Sequence, residues 1–356
     1  MRRKTRQVLV GPVAVGGGSP VTVQTMTKSD TRDAAATLRQ VRAAARAGCD
    51  IVRVAVPDAE AAAALGAIVK GSPLPVVADI HFDYRLALAS LEAGVHALRI
   101  NPGNIGSRAK VERVVEAARD RGVPIRIGVN AGSLEKDLLR RHGWPTAEAL
   151  VESALGHAAI LEDLRFPDIK ISVKASDIPT TVKAYRLLAK KTDYPLHLGV
   201  TEAGTRFAGT VKSAIGIGML LFEGIGDTLR VSLTGSPEAE VRAGREILRS
   251  LGMLPGGAVV VSCPTCGRTR VPILPVVEAV EKAVRKRGWD VHVAVMGCEV
   301  NGPGEARLAE IGLAFGNGRA LVFRGGKPHK VLGLGNVVAD FLAEIEAYMG
   351  EKAARP

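Results

Sequence analysis

Aromatic residues make up only 4% of this chain, which leaves little with which to stack exposed nucleobases. No run of about five or more like charges forms a basic arm. Long apolar runs are missing too: the longest, such as Ile215–Phe222, are broken by glycine and too short to cross a bilayer. The basic stretch Met1–Gln7 leads into no apolar segment, so no secretory signal is expected and the cytoplasm is the expected compartment. Cysteine is limited to Cys49, Cys263, Cys266 and Cys298, too few for an extracellular disulfide framework. Cys49, alone between a helical pattern and a strand, reads as a buried inert thiol. There is no low-complexity segment.

What is present in excess is positive charge. Lys and Arg number 48 against 36 Asp and Glu, a formal net charge of +12. Part of that surplus is a generally Arg-rich surface; the rest implies an anionic partner such as nucleic acid, acidic lipid or a phosphorylated substrate. The position of the charges decides among these. At 356 residues the chain exceeds the roughly 250 at which one core stops growing, so two domains are expected.

From Val21 to about Leu251 short β-branched runs alternate with longer amphipathic stretches. The expected strands are Val21–Met26, Asp50–Val56, Val76–Ile80, Ala97–Asn101, Ile125–Asn130, Asp168–Val173, Leu196–Val200 and Thr228–Leu233. Helical spacing marks Ala34–Ala47, Tyr84–Ala93, Ala109–Arg121, Ala147–Leu164, Thr181–Lys191 and Glu238–Leu251. Alternation of this kind specifies a parallel sheet, and eight units close into a (β/α)8 TIM barrel. Val8–Val15 reads as a small hairpin plugging the barrel floor. The barrel domain is expected over 1–251, a Gly/Pro-rich linker over 252–257, and a small α/β domain over 258–356.

In a β/α barrel the chemistry sits at the C-terminal ends of the strands. Arg53, the Asp79-Ile80-His81 run, Arg99, Asn101, Arg126, Asn130, Lys174, Arg230 and Ser232 all fall at or near such ends, and Glu202 follows the seventh strand. One buried-strand arginine is usually a structural ion pair. Arginines and a lysine from several strands around one axis are costly to bury unless an anion neutralises them. Guanidinium forks suit phosphate oxygens, so a diphosphate or bisphosphate is the expected ligand. Glu202 among these cations would be ionised, and an acid role for it requires the substrate's own charge to retune it.

The second domain carries Cys263-Pro-Thr-Cys266 after one strand and Cys298 after another. A C-x-x-C turn lets two thiolates face one metal, and Cys298 supplies a third. A structural zinc site would close with a fourth Cys or His, and His292 has no assured reach. An iron–sulfur cluster with three cysteines leaves one iron for a weaker ligand, a role Glu305 suits. Spacing alone leaves iron–sulfur and zinc both open. A dithiol redox pair leaves Cys298 unexplained.

The stretches Val77–Tyr84, Leu98–Gly106, Arg126–Asp137, Ser172–Asp177, Gly224–Leu233, Cys263–Cys266 and Val300–Glu305 closely resemble the bacterial 4-hydroxy-3-methylbut-2-enyl diphosphate synthase family. The resemblance runs from about Val21 to Gly312; the last forty residues or so match weakly. It implies reductive ring opening of 2-C-methyl-D-erythritol 2,4-cyclodiphosphate to the linear allylic diphosphate, with two electrons and loss of water. It also implies a [4Fe–4S] cluster on Cys263, Cys266 and Cys298, with Glu305 as carboxylate ligand. Arg53, Arg99, Arg126, Lys174, Arg230 and Ser232 match diphosphate contacts, with His81, Asn101 and Asn130 as further substrate-binding candidates, and Glu202 matches a catalytic acid. Flavodoxin or ferredoxin is the implied electron donor, and the implied assembly is a homodimer whose active site is shared between chains. The extra domain of plant-type members is absent from this sequence.

Two other readings compete. One is a non-redox barrel enzyme on a phosphorylated substrate with an appended structural zinc. The other is a zinc-ribbon RNA-binding protein, which leaves the strand-end arginines and Glu202 idle.

Overall fold

The computed structural model describes residues 2–254, 256–269, 271–300, 302–316 and 318–354; Pro255 of the expected linker lies outside the described residues. The chain forms two compact units, Met1–Met253 and Leu254–Pro356.

The first unit opens with a hairpin, β1 (Gln7–Val10) and β2 (Val13–Gly16). Then follow β3 (Thr22–Met26), α1 (Ala34–Arg46), β4 (Ile51–Ala55), α2 (Ala59–Gly71), β5 (Val76–Asp79), α3 (Tyr84–Glu92) and β6 (Ala97–Ile100). After these come α4 (Arg108–Asp120), β7 (Ile125–Asn130), α5 (Lys136–His142), α6 (Ala147–Asp163) and β8 (Ile169–Lys174). The unit ends with α7 (Ile178–Lys191), β9 (His197–Leu198), α8 (Arg206–Phe222), β10 (Thr228–Leu229) and α9 (Pro237–Ser250). The helix starts are set locally: Asp33, Asp58, Asp83, Thr146, Asp177 and Ser236 each accept a backbone N–H of the first turn.

The eight strands β3 to β10 pair in the order β8-β7-β6-β5-β4-β3-β10-β9, with every described pairing parallel. A parallel bridge from Ile171 to Leu196 joins β8 to the segment entering β9 and closes the ring. This is the expected TIM barrel. The hairpin packs Val8, Val10 and Val15 against Ile51, Val77 and Ala97, which lie at the starts of β4, β5 and β6. It plugs the floor, opposite the strand ends.

Two expectations need correction. The seventh and eighth strands are shorter than Leu196–Val200 and Thr228–Leu233; the ladder adds one bond, Arg230 N–H to the Leu198 carbonyl, before the chain leaves for the rim. Helices α2, α5 and α8 were not among the expected elements. In α2 a run of alanines shows no polar face, and in α8 apolar residues and glycine surround the axis, so neither displays a clean amphipathic period.

The second unit contains β11 (Val259–Ser262), α10 (Leu274–Arg287), β12 (His292–Met296), α11 (Gly302–Leu308), β13 (Ile311–Gly316), β14 (Arg319–Arg324), β15 (Lys327–Gly333) and α12 (Val337–Ala353). Its sheet runs β11-β12-β13-β14-β15, parallel over the first three strands and antiparallel beyond. Strand alternation gives the sheet two faces. Val293, Val295, Ile311 and Leu313 pack with Val280 and Val284 of α10 and Phe341 and Ile345 of α12. Ala294, Met296 and Ala314 pack with Ala306 of α11. Among the described residues no helix is long and apolar enough to cross a membrane.

Candidate active site

A cavity of about 210 Å³ opens at the strand ends of the barrel. Its walls are Arg53, Asp79, His81, Arg99, Arg126, Asn130, Lys174, Thr201, Arg230 and Ser232. The structure thus brings eight of the sequence-expected site residues together around one space. Asn101 stands just behind it: buried, its Oδ1 accepts the Gly128 N–H at 3.0 Å. Glu202 does not line the cavity. It is exposed on the turn after Thr201, in a left-handed conformation with φ of 52° that a non-glycine residue rarely adopts.

Charge dominates the pocket. Arg53, Arg99, Arg126 and Lys174 are each less than a tenth exposed. Asp79 is the central counter-charge, 3.1 Å from Arg99 Nη1 and 3.5 Å from Arg53 Nε. Burial alone would raise the Asp79 carboxyl, but Arg53, His81 and Arg99 hold it well below the usual carboxylate range. Burial pushes Arg53 down to about 10, with Asp79 opposing and Arg230 and Arg99 adding to the fall. Arg126 and Lys174 are pushed well below their ordinary values, first by burial and then by neighbouring cations.

Arg230 leans on a second buried acid that the sequence reading missed. Glu240, on α9 and 1% exposed, lies 3.4 Å from Arg230 Nε and 3.0 Å from Lys28 Nζ, and accepts the Thr25 hydroxyl at 2.8 Å. Its only signal was an acid near the start of a helix, which reads as ordinary first-turn charge. Thr201 was missed as well, hidden beside Glu202.

Two carboxylates do not balance five cations, and donors are left over. Among the described residues Arg126 Nε and Nη2 and Arg99 Nε are buried without a hydrogen-bond partner. Buried guanidinium donors in this state are suited to donate to an anion's oxygens. Gly199 leaves the room: a Cβ there would fall 2.5 Å from Lys174 Nζ and 2.7 Å from the Arg230 carbonyl.

In the second unit Cys263, Cys266 and Cys298 line one cavity of about 130 Å³, with Thr265, Arg268, Met296 and Gly297. Thr265, between the first two cysteines, has φ of 64°, and the Cys266 N–H is held by Thr269 Oγ1 at 3.0 Å. The Cys263 N–H bonds the Val295 carbonyl at 3.0 Å, so the loop is tied to the sheet beside β12. Soft thiol donors around one small cavity fit an inorganic cluster. Among the described residues no three His, Cys, Asp or Glu side chains are close enough to share a single ion; one thiolate for each of several irons needs no such convergence. Glu305 is exposed on α11 and is not among the residues around the cavity.

The profile of the GcpE TIM-barrel domain matches residues 5–245, and that of the GcpE protein C-terminal domain matches residues 259–347. The chain belongs to the GcpE family. Curated relatives in this family are close. A protein of Geobacter sulfurreducens named 4-hydroxy-3-methylbut-2-en-1-yl diphosphate synthase (flavodoxin) is 61% identical over 354 residues, covering 99% of this chain and all of the relative. Proteins of the same name from Maridesulfovibrio salexigens and Clostridium acetobutylicum are each 56% identical, over 99% and 97% of this chain and 98% and 99% of theirs. Among solved structures, 3-dehydroquinate dehydratase from Geobacillus kaustophilus superposes with a TM-score of 0.49 at 13% identity, covering 70% of this chain and 98% of that one.

Proposed function

We propose that this GcpE-family chain catalyses the reaction its curated relatives are named for, forming 4-hydroxy-3-methylbut-2-enyl diphosphate by reductive ring opening of 2-C-methyl-D-erythritol 2,4-cyclodiphosphate. It is an iron–sulfur oxidoreductase of isoprenoid biosynthesis. The observation that carries the reading is the convergence of Arg53, Arg99, Arg126, Lys174 and Arg230 on one cavity with unsatisfied guanidinium donors.

In this reading the barrel unit binds substrate and the second unit holds the cofactor. The cations take the diphosphate oxygens, and Ser232 and Asn130 add neutral hydrogen bonds. Fixing both phosphates fixes the carbon skeleton between them, which converts binding into orientation. Glu202, on its exposed turn beside Thr201, supplies a proton to the departing oxygen. Cys263, Cys266 and Cys298, with Glu305 as carboxylate ligand, would hold a [4Fe–4S] cluster, which would supply the two electrons. The relatives carry flavodoxin in their names, which supports flavodoxin rather than ferredoxin as donor. The enzyme works in the cytoplasm, as a homodimer in which the cluster unit of one copy serves the barrel of the other.

The test is anaerobic reconstitution followed by turnover of the cyclic diphosphate with an artificial reductant. Formation of the linear diphosphate, with about four irons per chain, is the expected result. Zinc alone, or a folded, iron-loaded protein that leaves the cyclic diphosphate untouched, overturns the reading.

A further inference from the structure

Two walls of the cation pocket rest on loops with little internal support. Strand β6 runs through Asn101 into a single turn, Pro102–Asn104, and β7 runs through Asn130 into another, Ala131–Ser133. Neither turn is closed by a side-chain cap. One residue of α6 reaches the first turn and the segment just beyond the second. His157, 5% exposed, accepts the Gly103 N–H at Nδ1, 3.1 Å away. Its other nitrogen, Nε2, lies 2.7 Å from Glu135 Oε1 on the loop that follows Asn130. Ser153, one turn earlier on α6, donates to the same carboxylate oxygen at 3.0 Å.

These contacts fix the state of the ring. With Nδ1 used as an acceptor, the proton of a neutral imidazole sits on Nε2 and is donated to Glu135. Only that tautomer satisfies both loops at once. Burial keeps the imidazole below its ordinary pKa, against the pull of Glu135, which favours the neutral ring. The fit is tight, since a Cβ on Gly103 would fall 2.6 Å from His157 Cε1. The tie also leads to the pocket. Asn101, next to the held turn, accepts the Gly128 N–H at 3.0 Å, and the Gly128 carbonyl accepts from Arg99 Nη2 at 2.7 Å.

We propose that His157 is a positioning residue for the anion pocket, a neutral imidazole that clamps the turn after Asn101 to the loop after Asn130 and so aims Arg99 and Asn130 at the bound diphosphate. The proposal rests on the functional reading above. His157 touches no substrate; it acts through Gly103 and Glu135.

Three lesions break the clamp differently: His157→Leu removes both bonds, Glu135→Ala removes one anchor, and Gly103→Ala wedges the turn away from the ring. His157→Gln keeps an acceptor and a donor on one side chain and serves as the rescue variant. Each is prepared as the cluster-loaded enzyme and checked by thermal unfolding. Calorimetry then gives the Kd for inorganic diphosphate, and steady-state assays with the cyclic diphosphate give KM and kcat. The lesions are expected to raise Kd and KM together by about tenfold, the scale of one charge-assisted hydrogen bond, with a smaller change in kcat and recovery in His157→Gln. Should His157→Leu fail to fold, the other two lesions decide the matter. Folded lesions that bind diphosphate as tightly as the unaltered enzyme overturn the proposal alone. An unaltered enzyme that binds no diphosphate overturns the functional reading, and this proposal with it.

Discussion

Arg126 donates through Nη1 to Ser172 Oγ at 2.6 Å, while its Nε and Nη2 stay buried with no partner among the described residues. One arm of the fork is anchored and two donors are held ready. Anchoring removes the rotamer freedom that ligand binding would otherwise have to freeze. Arg126→Ala is therefore expected to weaken cyclic diphosphate binding by about 1.5–3 kcal/mol, as loss of a charge-assisted contact to a buried anion does. Ser172→Ala frees the anchored arm and is expected to cost less. Calorimetric titration of the oxidised enzyme measures both, and unchanged affinity in Arg126→Ala would make this arginine purely structural.

Proton uptake should accompany binding. Lys170 and Lys174, both on β8, lie beside Arg126 within the barrel. Burial, with Arg126 adding, lowers Lys170 to about 7. Lys174 is pushed well below its usual range by burial and then by Arg126, Arg53, Arg230 and Arg99. His197, also buried, is held well below its own usual value by burial and then by Lys174 and Arg126. A bound diphosphate offsets the repulsion and raises these values. At about pH 8 the empty site holds fewer protons than the filled one, so affinity falls as pH rises and strengthens as pH drops toward 7. Titrations in buffers of different ionisation enthalpy give the number of protons taken up. No uptake at that pH would mean that the lysines are already charged in the empty barrel.

Glu240 holds four partners on one buried carboxylate, the Thr25 hydroxyl, Lys28, Arg230 and the Leu233 N–H, and its loss leaves Arg230 and Lys28 without their shared counter-charge. Breaking a buried ion pair from one side typically costs 3 kcal/mol or more; Lys28 is a third exposed, so about 3 kcal/mol is the expected destabilisation in Glu240→Ala. Glu240→Gln should lose less stability and still raise KM, because Arg230 is no longer aimed. Calorimetric unfolding and KM check the two effects separately.

How much of this was legible in the sequence follows from the range of each interaction. Arg53, Arg99, Lys174 and Arg230 could be placed because a β/α repeat brings the later residues of every strand to one rim, and Arg126, near the beginning of β7, still lines the same cavity. Glu240 could not, since its importance lies in Thr25, Lys28 and Arg230, far from it along the chain or on another element. His157 was invisible for the same reason: a histidine inside an amphipathic helix carries no mark of the loops it holds. The exposed placements of Glu202 and Glu305 show the converse, that a motif fixes identity without fixing where the side chain ends up. The faces of α8 were hidden because apolar residues and glycine surround its axis.

The four cysteines should separate into two classes. Cys49 is buried, its thiol 3.0 Å from the Ile51 carbonyl, and burial pushes its pKa up to about 12. A thiol in that state is not ionised near neutrality and does not react. Cys49→Ala should leave iron content and turnover intact, at the cost of a small cavity. Cys263→Ser, Cys266→Ser and Cys298→Ser should each lose iron and activity together, measured by iron and sulfide analysis beside turnover. Retention of full iron in all three would remove the cavity they line as the cluster site.

Helix α8 presents Phe207, Val211, Ile215, Met219 and Phe222 along one exposed line at helical spacing, with the two phenylalanines 83% and 84% exposed. Single exposed apolar residues are ordinary, but a line of five is the surface on which the homodimer proposed above is expected to close. In a homodimer the covering surface is a second copy, and a two-fold contact lets one face pack on itself. Placing a charge in the centre of the stripe, as in Ile215→Asp, buries an unpaired carboxylate in the dimer and none in the monomer. The variant is expected to sediment as a monomer with an unchanged melting profile for the barrel. Turnover should fall with the dimer, since the proposed site takes its barrel from one copy and its cluster from the other. Mixing Glu202→Gln with Cys298→Ser after subunit exchange tests that sharing directly: each is inactive alone, and a mixed dimer regains one competent site. A monomeric Ile215→Asp enzyme with full activity, or mixed dimers that form without recovering turnover, would show that each chain completes its own site.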